Sequence, residues 1–458
     1  MKEWIKAHKF EVILFFCALF VRVVLFSINF SVNNHDLIPT IKGDDGYYEL
    51  SQNINAGNGF TFDVAPPFRP NPLRPPLWPM FIATVSHIFG YWGVLIFELI
   101  LGSFIPVLGY FVARRLVGEK LSKWVAGFLV FEPYSVLLSF ILYTETSFTF
   151  FFLIFLIFLF RYIEKQTIRN AIWTGVFLGL ACMIKPTVQF FPLLIPVALA
   201  ILWRRNLTKP LLKHALLFVV SFFVIISPWL WRNHVEFGVW GISAQPAFNL
   251  YVYLVPTVLS IDNHTNFKTE YDSFVKKDNF DENNINLSNS PFYKAEAMKV
   301  IKEHKTALIK AALISGVTFF THDGMLTVLQ YSGITTPNVL TKPVITLLKE
   351  PLELFKVIGK YVQSSAVLIL MMRLVWILVT ILFLVGVFLM FKREGLRAFV
   401  LAAFLMILYF AATTCINGLG VNARFRIPIN VFILSFAIYA IFAIKERLYE
   451  AFRNHSRV

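Results

Sequence analysis

Charge is what this sequence has least of. Only 15% of its 458 residues are Asp, Glu, Lys or Arg, and 57% are apolar; an average soluble domain carries about 25% charged residues. That excludes an ordinary water-soluble globule. There are three cysteines, Cys17, Cys182 and Cys415, far apart and in or beside apolar runs, which excludes a disulfide framework or a CxxC metal knuckle. His87, His214 and His322 are isolated and show no metal-ligand spacing. A GxxxxGK[ST] phosphate loop is missing, as are internal repeats and low-complexity tracts. The N-terminal MKEWIKAHKFEVILFF lacks a small-residue cleavage site, so it reads as a retained first span rather than a cleaved signal. The net charge of +15 does not point to nucleic acid, because much of it lies in short loops where it sets topology.

What is present is a series of apolar runs of about 20 residues, the length that crosses about 30 Å of hydrocarbon as a helix. The fold class is an all-α polytopic membrane protein, one integral membrane domain over residues 1–458 with about 10 spans (about 9–13). The spans are placed at 10–30, 91–113, 123–142, 146–162, 170–184, 187–203, 213–231, 366–391, 397–416 and 427–445. Segment 76–89 is apolar but brief and reads as a surface helix; 306–320 reads as a surface or re-entrant helix. With the N-terminus in the cytoplasm, every loop on that side is a Lys/Arg cluster: 114–123, 161–169, 204–213, 392–397 and the tail from Lys445. Both termini are then cytoplasmic, in a plasma (inner) membrane. The two long loops, 31–90 with surface helices and the partly ordered 232–365 with a helical run near 291–310, face outward.

The unusual residues gather on that outer side. GDDGYYELSQNI (43–54) puts Asp44 and Asp45 beside Tyr47 and Tyr48; Glu132, Glu145, Lys185, Arg232, Arg424 and Arg426 stand at the ends of apolar runs. Charges at that depth are costly unless they face a protein cavity or each other. Acids and bases around one cavity suit a phosphate-bearing ligand and a proton acceptor. Each also has a plainer reading: interfacial Lys and Arg snorkel to headgroups, tyrosines form an aromatic belt, and an Asp in a loop caps a helix or makes a turn. Two charges fall inside spans, Arg22 and Glu98; they are expected to pair with each other, the alternative being that Arg22 reaches a lipid phosphate.

Five pieces carry a resemblance: an acid before YYELSQNINAGNGF with RPPLWPMFIA following, LYTETSF, GLACMIKPT, SPWLWRNHVEFG and ARFRIP before the last span. In this order and on this side they resemble glycosyltransferase family 39 and its relatives on the GT-C fold, which include the protein O-mannosyltransferases and the lipid A aminoarabinose transferases. The resemblance implies a sugar transferase with a polyprenyl-phosphate sugar donor and a lipid, glycan or protein acceptor, whose first outer loop supplies a catalytic carboxylate. Asp44 matches that position first, since Tyr48 then follows at the family's distance. LSQNI fits one residue off, which keeps Asp45 open. Arg424, Arg426, Lys185 and Arg232 become donor-phosphate ligands, Glu132 and Glu145 supporting acids, and Tyr47, Tyr48 and Arg74 a substrate loop. The protein mannosyltransferases carry Asp-Glu where this chain has Asp-Asp, and no soluble sugar-protein module is recognisable here.

The chemistry agrees independently. Inverting transfer needs one base to deprotonate the acceptor. Its leaving group, a phosphate, needs cations rather than a general acid. One carboxylate with several Arg and Lys is that inventory; a glycosidase needs two carboxylates. No cofactor is expected, although Asp44, Asp45, Glu132 and Glu145 are the residues that would hold a divalent ion in a metal-dependent oligosaccharyltransferase. The main alternative is a transporter or flippase of lipid-linked sugars, which would place polar residues near the midplane and show repeats.

Overall fold

A computed structural model describes residues 8–202, 209–276, 285–336, 351–395, 397–419 and 422–455. All regular structure among them is helical. Seven helices are long and apolar enough to cross a membrane: Lys9–Val32, Leu77–Phe131, Glu145–Glu164, Pro210–Phe237, Val367–Arg393, Ala398–Asn417 and Ala423–Glu450. An eighth arises if Lys305–Thr321 and Met325–Tyr331, bent by 62°, form one broken span. Two shorter apolar helices, Ile168–Ile184 and Phe191–Ile201, fall below that length. The all-helical, multi-pass expectation holds; a count of about 10 is not reproduced by the long helices.

The Glu145–Glu164 helix is the centre of the bundle. Its Phe148, Phe152, Phe155 and Phe160 are all fully buried. Outer helices present Phe16, Phe20, Leu193 and Phe388 outward, as lipid-facing surfaces do.

Three departures from the sequence reading have physical causes. The 55-residue Leu77–Phe131 element breaks at Gly90 (φ 66°) and Gly118 (φ 79°), which separates the expected 76–89 helix from the span that follows. The expected span 123–142 stops at Phe131. Glu132 precedes Pro133, whose ring disfavours a helical residue before it, and Glu132 is extended (φ −65°, ψ 110°). Residues 133–144 then form a short helix, Pro133–Leu137, and a turn buried inside the protein. Lastly, Arg22 and Glu98 do not pair. Arg22 donates from Nη1 to the Ala18 carbonyl at 3.1 Å, while its Nε and Nη2 and both Glu98 carboxylate oxygens are buried with no hydrogen-bond partner among the described residues.

The helical run expected near 291–310 is two helices, Ser290–Glu303 and Lys305–Thr321, meeting at His304, whose Nδ1 lies 2.6 Å from Asp262 Oδ2.

Candidate active site

Four chain breaks bring charge to one end of the bundle. The first is the turn GDDG. Gly43 (φ 66°) and Gly46 (φ 78°) bracket the acid pair in a backbone conformation that side-chain-bearing residues rarely adopt. A Cβ on Gly43 would stand 2.7 Å from the Tyr143 ring, and one on Gly46 2.7 Å from the Phe62 ring. Gly46, not an aspartate, is the N-cap of the Tyr47–Asn55 helix, so neither acid serves as that cap. The Leu142 amide donates to the Ile41 carbonyl at 2.7 Å and pins the turn against residues 141–143.

The second break is Arg74-Pro75-Pro76. The Ser243 hydroxyl donates to the Leu73 carbonyl at 2.5 Å and the Ala244 amide to the Pro72 carbonyl at 2.9 Å, which docks this loop on the segment after the Lys209–Phe237 helix. The third is Lys185-Pro186. The proline holds Lys185 extended (φ −143°, ψ 118°), ending the Ile168–Ile184 helix and turning the ammonium toward Glu145. The fourth is the short Asn422–Arg426 helix ahead of Asn430–His455.

These breaks assemble one ionic cluster. Arg424 donates from Nε to Glu145 Oε1 at 2.7 Å and from Nη2 to Asp45 Oδ2. Lys185 Nζ donates to the same Glu145 oxygen at 2.7 Å. Arg74 Nη2 donates to the Asp45 carbonyl at 3.1 Å and lies 3.6 Å from its carboxylate. Glu145 sits in the first turn of its helix, where the dipole favours an acid, and its side chain is 1% exposed. Burial works against the charge on Asp45, but Arg424 and Arg74 outweigh it and hold the carboxyl well below the usual carboxylate range. Burial lowers the Lys185 ammonium from its ordinary value, with Glu145 opposing.

Asp45, Tyr47, Arg74, Lys185 and Arg424 line a cavity of about 450 Å³. Tyr47 is buried beneath the Arg74 guanidinium, 5.4 Å from its ring, and burial pushes its phenol up to about 12. The Arg74 Nε is buried with no partner among the described residues. A desolvated guanidinium N–H without an acceptor suits an anionic ligand.

Asp44 is outside that lining. It is exposed, is in none of the ion pairs between described residues, and accepts a hydrogen bond at Oδ1 from the Tyr143 hydroxyl. Tyr143 was not singled out from the sequence, although it lies in LYTETSF beside Glu145.

The remaining expected residues lie elsewhere. Arg426 is buried and turned away: it donates to the carbonyls of Phe319 (2.8 Å), Phe320 (2.6 Å) and His322 (2.8 Å), and stacks 3.4 Å from the Trp376 ring. Arg232 sits among the rings of Trp229, Phe237 and Phe60, with its Nη1 donating to Asn233 at 2.8 Å. Glu132 caps Pro133–Leu137 by accepting from the Ser135 amide at 2.7 Å. Tyr48 packs on Tyr91 and accepts from Gln52 at 2.7 Å. Among the described residues, no group of three or more His, Cys, Asp or Glu is placed to hold a metal ion.

Residues 73–231, less than half of the chain, match the profile of the dolichyl-phosphate-mannose-protein mannosyltransferase family. No curated protein matches. Among solved structures, the chain is similar to the archaeal oligosaccharyltransferase AglB from Archaeoglobus fulgidus, in complex with an inhibitory peptide and a dolichol-phosphate (13% identity, TM-score 0.49, 99% of this chain and 52% of that one). It is also similar to ArnT from Cupriavidus metallidurans bound to undecaprenyl phosphate (14% identity, TM-score 0.41, 95% of this chain and 79% of that one). The chain thus spans about half the length of the oligosaccharyltransferase. The resemblance to glycosyltransferase family 39 and its GT-C relatives is borne out over residues 73–231 by that profile; the Asp44-Asp45 stretch and ARFRIP lie outside the match.

Proposed function

We propose that the chain is an inverting glycosyltransferase that takes a sugar from a polyprenyl-phosphate donor and passes it to a hydroxyl of a lipid, glycan or protein acceptor. Its site is at the outer face of the plasma membrane, both termini lie in the cytoplasm, and Asp44 is the base. The family match over residues 73–231 supports the donor class. The observation that carries the reading is the division of labour within the acid pair. Asp45 faces the cavity and is neutralised by Arg424 and Arg74, which makes it a poor base. Asp44 is exposed, has no cation on it among the described residues, and is oriented by Tyr143.

In the step this arrangement serves, the acceptor oxygen attacks the anomeric carbon while its proton passes to Asp44. The bond from that carbon to the donor phosphate oxygen breaks on the opposite side, and its electron pair stays on the phosphate. The product is the inverted glycoside and a polyprenyl phosphate carrying one more negative charge. Arg424, Arg74 and Lys185 stabilise that charge in a site prepared before the reaction. No general acid is required. Asp45 and Glu145 hold the cations in place.

The test is to purify the chain with its native lipids, identify bound polyprenyl-phosphate species by mass spectrometry, and follow sugar transfer from that donor. Bound donor and transfer support the reading. Movement of a lipid-linked sugar across vesicles without transfer would mark a flippase instead.

A further inference from the structure

The break at Glu132-Pro133 leaves a gap in the bundle as well as a turn. From Gly118 to Phe131 the helix rises only about 20 Å, against about 30 Å of hydrocarbon. Beside it, the helices Val367–Arg393 and Ala423–Glu450 pack closely: a Cβ on Gly386 would stand 1.9 Å from the Phe436 carbonyl oxygen. These three elements line a groove of about 1030 Å³. Its walls are rings and aliphatic chains, among them Trp124, Phe128, Phe131, Val375, Ile441 and Phe442. Trp124 and Phe131 are 63% and 65% exposed, and a Cβ on Gly127 would meet nothing within 4 Å. No side chain of the protein fills the space in front of Gly127.

The charged residues of the lining are Lys123, Lys445 and Glu132. Both lysines belong to Lys/Arg clusters, at 114–123 and in the tail from Lys445. About 13 Å of helix separates Lys123 from Glu132. Glu132 is buried and accepts from the Ser135 amide at 2.7 Å. The acids beside the lysines lie outside the lining. Glu119 is 3.1 Å from Lys123 in an exposed pair, which contributes little, and Glu446 is held by Arg393 at 3.3 Å.

We infer that this groove binds an anionic phospholipid of the cytoplasmic leaflet. Its phosphate lies at Lys123 and Lys445, and an acyl chain runs along the aromatic wall toward Pro133. This rests on the topology proposed above and is independent of the transfer chemistry. Three features select the occupant. The apolar wall lies among helices long enough to cross a membrane, where the neighbouring solvent is hydrocarbon. Ammonium groups at the inner surface attract anionic headgroups, whereas a zwitterionic headgroup brings a cation of its own to the two lysines. A polyprenyl-phosphate donor places its phosphate at the outer site, across the membrane from Lys123 and Lys445. The bound lipid stabilises the bundle because it fills a space open only in the folded chain.

The test uses the full-length chain in detergent, stripped of lipid and then given phosphatidylglycerol or phosphatidylcholine. Retained lipid is read by native mass spectrometry, together with the unfolding temperature. Wild type is expected to retain phosphatidylglycerol on the order of tenfold more than phosphatidylcholine, and only phosphatidylglycerol is expected to raise its unfolding temperature. Gly127→Leu fills the groove and should lower retention of both lipids. Lys123→Gln with Lys445→Gln should abolish the preference. Both variants are expected to unfold at the wild-type temperature before lipid is added, and either one alone decides if the other loses its fold. Equal retention of the two lipids by wild type, or an unchanged preference in the folded variants, overturns the inference. So does native polyprenyl phosphate that co-purifies with wild type and is lost in Gly127→Leu.

Discussion

The Arg424 guanidinium carbon lies 4.0 Å from the centroid of the Tyr143 ring. That stacking couples two neighbouring aspartates with different partners, since Arg424 binds Asp45 and Tyr143 binds Asp44. The proposed base and the proposed donor-phosphate ligand are thereby held by one cation–aromatic pair, an interaction of about 0.5–2 kcal/mol according to its desolvation.

Tyr143→Phe keeps the ring on Arg424 and removes the hydroxyl from Asp44. A hydrogen bond to a charged group contributes about 1.5–3 kcal/mol, so turnover should fall by roughly 10- to 100-fold while donor affinity stays unchanged. Steady-state kinetics with acceptor and donor varied separately checks this. A loss confined to donor affinity would assign Tyr143 to the other side of the mechanism.

Arg424→Lys should weaken donor binding by tenfold or more, about 1.4 kcal/mol. One ammonium cannot reproduce a planar fork that reaches Glu145 and Asp45 together. Direct donor-binding measurement decides it; wild-type affinity in this variant would leave the phosphate to Arg74 and Lys185.

Arg426→Ala separates a structural arginine from a binding one. Three backbone carbonyls lose their donor and Trp376 its stacked cation. The expected cost is on the order of 2–4 kcal/mol of stability, seen as a lower unfolding temperature in detergent. Donor affinity of the folded fraction should be unchanged.

The spacing of chemical residues was readable from the sequence; their facing was not. Asp44, Asp45, Glu145, Lys185 and Arg424 stood out as charges beside apolar runs and Arg74 came with the resemblance; the structure gathers all of them except Asp44 into one ionic cluster. Arg424 and Arg426 looked equivalent, but residues two apart on a helix point about 200° apart, so one enters the cavity and the other clamps the Lys305–Thr321 helix. Tyr47 and Tyr48 divide in the same way. The split between Asp44 and Asp45 depends on a turn with two positive-φ glycines and on Tyr143, 98 or 99 positions later. The Glu132-Pro133 break was legible in principle, but the hydropathy of 123–142 masked it.

Asp45 should also shape stability against pH. Its folded carboxyl is held below the ordinary value, so its contribution is fully present above the unfolded carboxylate pKa of about 3.9 and is lost as pH falls further. Asp45→Asn should therefore destabilise the protein at pH 5–8, and the gap to wild type should narrow below about pH 4. Removing one partner of a fully buried pair costs about 3–5 kcal/mol; the side chain here is 20% exposed, so less is expected. Thermal unfolding across that range checks the sign, and a gap that widened on acidification would reverse it.

The most direct test of the account is the single-turnover transfer rate of Asp44→Asn at saturating polyprenyl-phosphate sugar, with donor affinity measured on the same preparation. Asparagine keeps the size and accepts from Tyr143 but has no basic oxygen. The rate is expected to fall by about 10²–10⁴-fold with donor affinity and unfolding temperature at wild-type values. A near-normal rate would contradict Asp44 as the base and the division of labour between the two aspartates.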